Sequence, residues 1–175
     1  MGIEIEILNY IQTLRTPFGD WIMPLISSLG NAGIFWIILT AIMLIRPKTR
    51  KTGWILMVAL FVDFVLCNLC MKPLIARVRP YNVNTAITLL VAPLKDYSFP
   101  SGHTAASFAS VMALYLAGEK RLWKIALVIS ILIACSRMYL YVHYPTDVLG
   151  GVIIGILCGV IGYWIIGKIQ RRKTI

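Results

Sequence analysis

Apolar residues fill long stretches of this chain, and polar residues cluster between those stretches instead of alternating with them. Four runs, 53–71, 100–118, 122–141 and 148–169, are apolar over about the ~20 residues that a helix needs to cross a bilayer. A further run, 21–45, is interrupted by Pro24 and by Leu29-Gly30-Asn31-Ala32-Gly33. Its unbroken part, 33–45, is too short to span at ~1.5 Å per residue, so this run is expected as a broken or kinked first span. Ahead of it, Ile3, Ile7, Leu8, Ile11 and Leu14 recur at helical spacing, with Glu4, Glu6, Asn9 and Gln12 elsewhere on the wheel. That pattern predicts an amphipathic helix lying on the membrane surface and ending at Thr16-Pro17. A soluble-side helix packed on loops is the alternative.

The expected fold is therefore all-α: one domain, 1–175, forming a polytopic membrane helix bundle of about five spans with an N-terminal interfacial amphipathic helix. Composition agrees, with 59% hydrophobic and only 14% charged residues. Small residues recur every fourth position at Ala105, Ala109, Ala113 and Ala117, and again at Gly151, Gly155 and Gly159. Both stripes read as faces where helix backbones approach closely, inside one subunit. Cys67, Cys70, Cys135 and Cys158 all lie in apolar runs and read as small buried hydrophobes; the Cys67-x-x-Cys70 spacing has no second pair to complete a zinc set. No secretory signal peptide is evident at 1–10.

A formal charge of +10 would point to nucleic acid in a soluble protein, but its placement here speaks of topology. Eleven of the seventeen basic residues fall in three segments: Arg46, Lys48, Arg50 and Lys51; Lys120, Arg121 and Lys124; Lys168, Arg171, Arg172 and Lys173. By the excess of Lys and Arg in inner loops these face the cytoplasm, leaving the N-terminus and the long connector 72–99 outside. That connector is expected to be ordered.

The candidate chemistry gathers at the outer ends of the spans. The chain has two histidines, His103 after Pro100-Ser101-Gly102 and His143 four residues before Asp147. Lys72, Arg79 and Arg137 stand close enough in the expected topology to converge with them. Ser101 can cap the helix that follows, and Gly102 lets a ligand approach free backbone N–H groups at a helix start. Arginine forks match phosphate oxygens in pairs, so the set suits a phosphate. Asp147 can fix the tautomer of His143 and make its other nitrogen a nucleophile, while a cationic His103 can protonate a leaving oxygen. No acidic cluster marks a metal site. Taken singly, each histidine reads as an interfacial polar residue and each arginine as a snorkelling anchor. Taken together, they gather on the side that the charge bias disfavours. Asp63, in mid-span, is costly in lipid and invites a functional reading. Arg77, Tyr81, Tyr97, Tyr139 and Tyr141 are further residues near the mouth.

The residues Lys72-x6-Arg79-Pro80, Pro100-Ser101-Gly102-His103 and Ser136-Arg137-x5-His143-x3-Asp147 resemble the three-part signature of the PAP2 phosphatase superfamily. That group includes type 2 phosphatidic acid phosphatases, bacterial lipid phosphatases and vanadium haloperoxidases. The resemblance implies that Lys72, Arg79, Arg137, Ser101 and Gly102 bind phosphate. It implies His103 as general acid, His143 as nucleophile, Asp147 as its orienting partner, and no metal or cofactor. Some membrane members have six spans; this chain is expected to begin at the amphipathic helix, without the first of them.

The expected function is hydrolysis of a lipid phosphate or diphosphate, of undecaprenyl diphosphate or phosphatidylglycerol phosphate type, through a phosphohistidine at the outer face of the plasma or inner membrane. The partners expected are that substrate and the bilayer, with no nucleic acid and no obligatory protein. A small membrane anion transporter or channel component is the alternative, and a vanadate-dependent oxidase on the same scaffold is a third reading. Conduction would need no nucleophile, and the membrane spans speak against the oxidase.

Overall fold

The computed structural model describes residues 2–172. Nine α-helices follow in order: α1 Gly2–Thr13, α2 Pro17–Ser28, α3 Ile34–Ile45, α4 Arg50–Asp63, α5 Lys72–Ile75, α6 Pro80–Val83, α7 Gly102–Leu116, α8 Leu122–Tyr139 and α9 Pro145–Arg172. A 3-10 turn, Asn31–Gly33, joins α2 to α3, and a π-helical stretch, Phe64–Met71, continues α4 into α5. Among the described residues there is no strand. Lys173, counted above with the inner basic segments, lies outside the described residues.

The helix ends follow local chemistry. Thr16 caps α2 by accepting from the Gly19 N–H at 3.0 Å, and Pro17 takes the first position, where its missing N–H costs nothing. Pro145 does the same for α9. The first span is broken as expected: α2 and α3 meet at a bend of 43°. Ala32 and Gly33, with φ of 48° and 67°, sit left-handed at the break.

Among the described residues, three helical segments are long and apolar enough to cross a membrane, and a fourth results if the bent pair α2–α3 counts as one span. The fifth span, expected at 100–118, corresponds to α7, whose 15 residues reach ~22 Å at ~1.5 Å per residue against a ~30 Å hydrocarbon core. That helix is the axis of the bundle, packed against α9, α8 and α4. Wrapped by its neighbours, it has no need of a full lipid-facing length.

The core is built around α7. Trp36, Ile55, Leu56, Ala109, Ala113, Leu114 and Ile133 are buried together, and the Trp36 indole N–H bonds Ser107 Oγ at 3.0 Å. The two small-residue stripes meet each other. A Cβ added at Gly151 would lie 2.7 Å from the Ser101 carbonyl oxygen, and one at Gly159 would lie 2.8 Å from that of Ala109. One at Gly155 would press on Ala105 O and come within 2.9 Å of Ala109 N. The glycine stripe is thus an internal packing face, as expected. The cysteine expectation holds only in part: Cys67 and Cys158 are buried, whereas Cys70 and Cys135 are exposed on the bundle's flank. Large apolar side chains such as Phe61, Trp164, Leu149 and Ile153 are also exposed there, which suits a lipid surround.

The amphipathic helix α1 packs on the ends of α8 and α9, with Leu8 fully buried and Ile5 and Ile11 beside it. Ile3, Ile7 and Leu14 face outward instead of sharing that face. The helix lies between protein and surround, with apolar residues on both sides. At the bundle's other end, Thr52 donates to Glu119 at 2.8 Å, joining the start of α4 to the turn between α7 and α8. Lys51 and Lys168 line one groove there, so the basic segments do gather at one end.

The seam between α7 and α9 yields a first prediction. Gly155→Ala should lower thermal stability in detergent by about 1–3 kcal/mol, the usual cost of overpacking. Gly167→Ala meets nothing within 4 Å and should be neutral, or gain up to ~1 kcal/mol of helix propensity. Equal melting temperatures for the two variants would contradict this packing.

Candidate active site

Opposite the basic end, the terminus of the long α4–π–α5 segment, the starts of α7 and α9 and the end of α8 come together. The Ser101 N–H donates to the Asp147 carbonyl at 3.0 Å, which fixes the start of α7 to that of α9. The π-helical stretch brings Asn68 and then Lys72 to the wall of a cavity of about 550 Å³. Widened turns of this kind recur at functional sites. Left-handed Ala76, with φ of 47°, ends α5 and turns the chain toward Arg79.

Lys72, Arg79 and Arg137 are all buried, at 7%, 2% and 3% exposure. Arg79 is held on several sides. Its Nη1 donates to Val142 O at 2.7 Å, its Nε to Asp96 O at 2.8 Å, and its Nη2 to Asp96 Oδ1 at 2.6 Å. Lys72 pairs with the other Asp96 oxygen. Arg137 donates through Nη1 to Ser27 Oγ in α2, while its Nε and Nη2 are buried without a protein partner. Buried guanidinium donors without an acceptor are rare and costly, and they call for an anion.

His143 is 1% exposed, with Nε2 3.3 Å from Arg79 Nη1. Its Nδ1 faces Asp147 Oδ2 at 3.5 Å, an ion-pair approach too long for a formed hydrogen bond. Asp147 is itself firmly set. Oδ2 accepts from Ser98 Oγ at 2.5 Å and from the Tyr144 N–H at 2.9 Å, and Oδ1 accepts from Arg77 Nη1 at 2.6 Å. Burial, above all, depresses the His143 imidazole to about 3; Asp147 pulls upward, and the Arg137 and Arg79 cations push further down. The ring is therefore neutral at ordinary pH.

His103 stands in the first turn of α7, half-buried on the cavity, with Nε2 2.9 Å from Asn31 Oδ1 in the break of the first span. Gly30 passes so close that a Cβ there would lie 2.6 Å from the His103 ring. Gly102 leaves its backbone open, with Lys72 Nζ 3.7 Å from where its Cβ would be. Ser101 departs from expectation. It occupies the cap position of α7, but its hydroxyl makes no cap bond and pairs with Thr104 Oγ1 at 3.0 Å. The other seven expected site residues gather around the cavity and the His143–Asp147 pair. Asp63 is buried on the cavity wall, with Oδ1 unpartnered.

Sequence reading missed several contributors. Asp96 and Ser98 lie in the connector before the Pro100-Ser101-Gly102-His103 stretch, where a charged residue looks like ordinary loop. Ser27 and Asn31 come from the broken span; for Asn31 a polar residue inside a glycine-flanked interruption is the available signal, and for Ser27, within α2, there is none. Glu4 belongs to α1, yet it ion-pairs with Arg77 Nη2 at 2.5 Å, and Arg77 also covers the Tyr144 ring at 4.0 Å.

The family model of the PAP2 superfamily matches residues 52–171, a stretch that contains every residue of the expected site. The chain belongs to the PAP2 superfamily. It is 31% identical over 155 residues to the undecaprenyl-diphosphatase of Sulfolobus acidocaldarius, covering 89% of this chain and 74% of that one. Its structure resembles that of Aquifex aeolicus LpxE with a TM-score of 0.78 and 30% identity, over 90% of this chain and 92% of the other. It also resembles a transmembrane PAP2-type phosphatidylglycerolphosphate phosphatase from Bacillus subtilis, with a TM-score of 0.76 and 28% identity, over 98% and 86% of the two chains. This PAP2 protein is a membrane phosphatase of a lipid-phosphatase family, and phosphatases of this type need no metal. The anion-transport alternative falls away.

The depressed His143 makes stability pH-dependent in a definite sense. In the unfolded chain its imidazole takes up a proton near 6.5, and in the folded protein only near 3. As pH falls from about 6.5 toward 3, the unfolded state binds the proton first and stability is lost. His143→Gln removes that contribution, so its melting temperature should fall less between pH 7 and 5 than that of the wild type. Parallel declines would show that His143 is not held neutral.

Proposed function

We propose that this PAP2 enzyme hydrolyses a lipid phosphate or diphosphate through a phosphohistidine on His143. The observation that carries the reading is the buried Arg137 guanidinium, with two donors free of protein partners, beside Lys72, Arg79 and a neutral His143. Lys72, Arg79, Arg137 and the Gly102 backbone hold the phosphoryl oxygens. His143 Nε2 attacks phosphorus in line, and Asp147, steadied by Arg77 and Ser98, stabilises the charge that appears on the imidazole. His103 protonates the oxygen that leaves, then takes a proton from the water that cleaves the phosphorus–nitrogen bond. Inorganic phosphate leaves and both histidines return to their starting forms.

The substrate is a lipid because the cavity continues from the cations down an apolar wall of Ile37, Met57, Leu60, Phe61 and Phe64, between α3 and the α4–π segment. A tail left in the membrane avoids an extraction cost of ~0.8 kcal/mol per CH₂. Among lipids we favour an isoprenoid diphosphate, in line with the archaeal relative's name and with a diphosphate's good leaving group. We read this site as facing the non-cytoplasmic side of the cell membrane; the basic segments gathered at the other end support that reading by the excess of Lys and Arg in inner loops.

Two experiments test this. His143→Ala should abolish turnover and covalent labelling from a radioactive substrate. His103→Ala should slow turnover by about 10²–10⁴-fold while labelling persists with a good leaving group. Undecaprenyl diphosphate should outperform phosphatidylglycerol phosphate, phosphatidic acid and para-nitrophenyl phosphate in kcat/KM. Substantial activity in His143→Ala would end the phosphohistidine mechanism, and a preference for a glycerol lipid would end the isoprenoid assignment. Separately, Thr85→Cys should react with an impermeant thiol reagent in intact cells and Lys48→Cys should not; the reverse pattern would place the site inside.

A further inference from the structure

We propose that the Asp96 carboxylate is a built-in stand-in for the substrate's phosphate: it bridges Lys72 and Arg79, and a phosphoryl group must displace it to bind. Asp96 would thereby set how tightly the site holds substrate, and how readily it releases inorganic phosphate. The inference rests on the reading above, in which Lys72 and Arg79 are phosphate ligands.

The geometry is that of an oxyanion on its receptor. One Asp96 oxygen takes the Lys72 ammonium, and the other accepts from Arg79 Nη2 at 2.6 Å. Two oxygens of a phosphate would use these same charge-assisted donors. The partners are unequal in mobility. Both cations are buried, whereas the Asp96 side chain is 47% exposed and lines the mouth of the cavity. Its loop is pinned on either side: Tyr81 Oη bonds Leu94 O at 2.8 Å and Leu94 N at 3.0 Å, and the Ser98 N–H donates to Arg77 O at 2.8 Å. Asp96 can turn its side chain into water with both anchors kept.

Charge balance gives a reason for the arrangement. Two neighbouring buried cations need an anion at all times. Asp96 supplies it, and phosphate takes over the role. Burial alone would raise the carboxyl, but the hydrogen bonds and charge of Lys72 and Arg79 outweigh burial and hold it down at about 2. It stays ionised throughout the physiological range and competes there at full charge. Were Asp96 instead a brace that orients the two cations, its removal would weaken phosphate binding. A competitor's removal strengthens it, so the sign of the change decides.

The test measures inhibition of the purified full-length enzyme in detergent by inorganic phosphate and by vanadate. Wild type should be inhibited by both; no inhibition by either would overturn the phosphate site itself, and this inference with it. In Asp96→Asn both inhibition constants and the substrate KM should fall about tenfold, as expected if Asp96 holds its seat nine-tenths of the time. The rise in melting temperature on adding vanadate should grow correspondingly. Inhibition constants that stay put or rise in Asp96→Asn would overturn the stand-in role while leaving the phosphatase reading intact. Glu4→Gln removes one negative charge near the site without touching Lys72 or Arg79, and an equal tightening there would reduce the effect to bulk charge. Should Asp96→Asn fail to purify, Asp96→Ser carries the same comparison.

Discussion

Three buried cations at one end of a membrane bundle set the terms for the rest of the structure. Lys72, Arg79 and Arg137 lie on three different segments, and each would be cheaper in water. What keeps them in place is the framework around them. Arg79 is tied to the Val142, Asp96 and Tyr97 carbonyls, and Arg137 to Ser27. Acidic residues reach the same region from the periphery, Asp96 from the loop and Glu4 from the surface helix through Arg77. The carboxylate nearest His143, Asp147, is shared among Arg77, Ser98 and a backbone N–H, so it cannot swing over to neutralise the cations. A cluster of cations and an anionic Asp147 thus coexist a few ångströms apart.

That separation depends on backbone proximity far from the charges. The glycine stripe of α9 lies on the backbone at the start of α7 for about two turns, from Ser101 to Ala109. Because the seam is so close, the first residues of the two helices can share a hydrogen bond, Ser101 N–H to Asp147 O. His103 on one helix and Asp147 on the other are then registered by van der Waals contact through the membrane region, with no flexible loop setting their spacing. In lipid, where burying apolar surface gives helices no reason to associate, such a seam is the available adhesive.

Much of this was legible in the sequence, for physical reasons. Long apolar runs have few alternatives to membrane helices, and the spacing of Lys72, Arg79, His103, Arg137, His143 and Asp147 brings phosphate chemistry to helix ends on one side. The interrupted run at 29–33 predicts a break, and the structure bends there by 43°. What stayed hidden was long-range complementarity. Nothing local in Lys95-Asp96 says that the carboxylate folds back onto a lysine twenty-four residues earlier. Nothing in the amphipathic pattern of α1 says that Glu4 serves as a partner for Arg77. Ser101 misled in the opposite direction: its position as a helix cap was right, but Thr104 one turn on offers its hydroxyl a nearer partner. At α7, hydropathy reports how apolar the run 100–118 is, and not how long its helix stays or what encloses it.

The break in the first span has a structural reason once His103 is in place. A continuous helix from 17 to 45 would give every backbone group its partner and present side chains along its whole length. At the level of His103 there is no room for one: the ring lies against Gly30, at a distance that even a methyl group would close. Interrupting the helix there removes a side chain where the imidazole must lie, and turns Asn31 to meet its Nε2. The same interruption bends α3 away by 43°. Gly30, Ala32 and Gly33 from the break, and Ile37 from the start of α3, line the cavity opposite Leu60, Phe61 and Phe64. One irregularity therefore does two jobs, seating the second histidine and opening an apolar path to it from the side of the bundle.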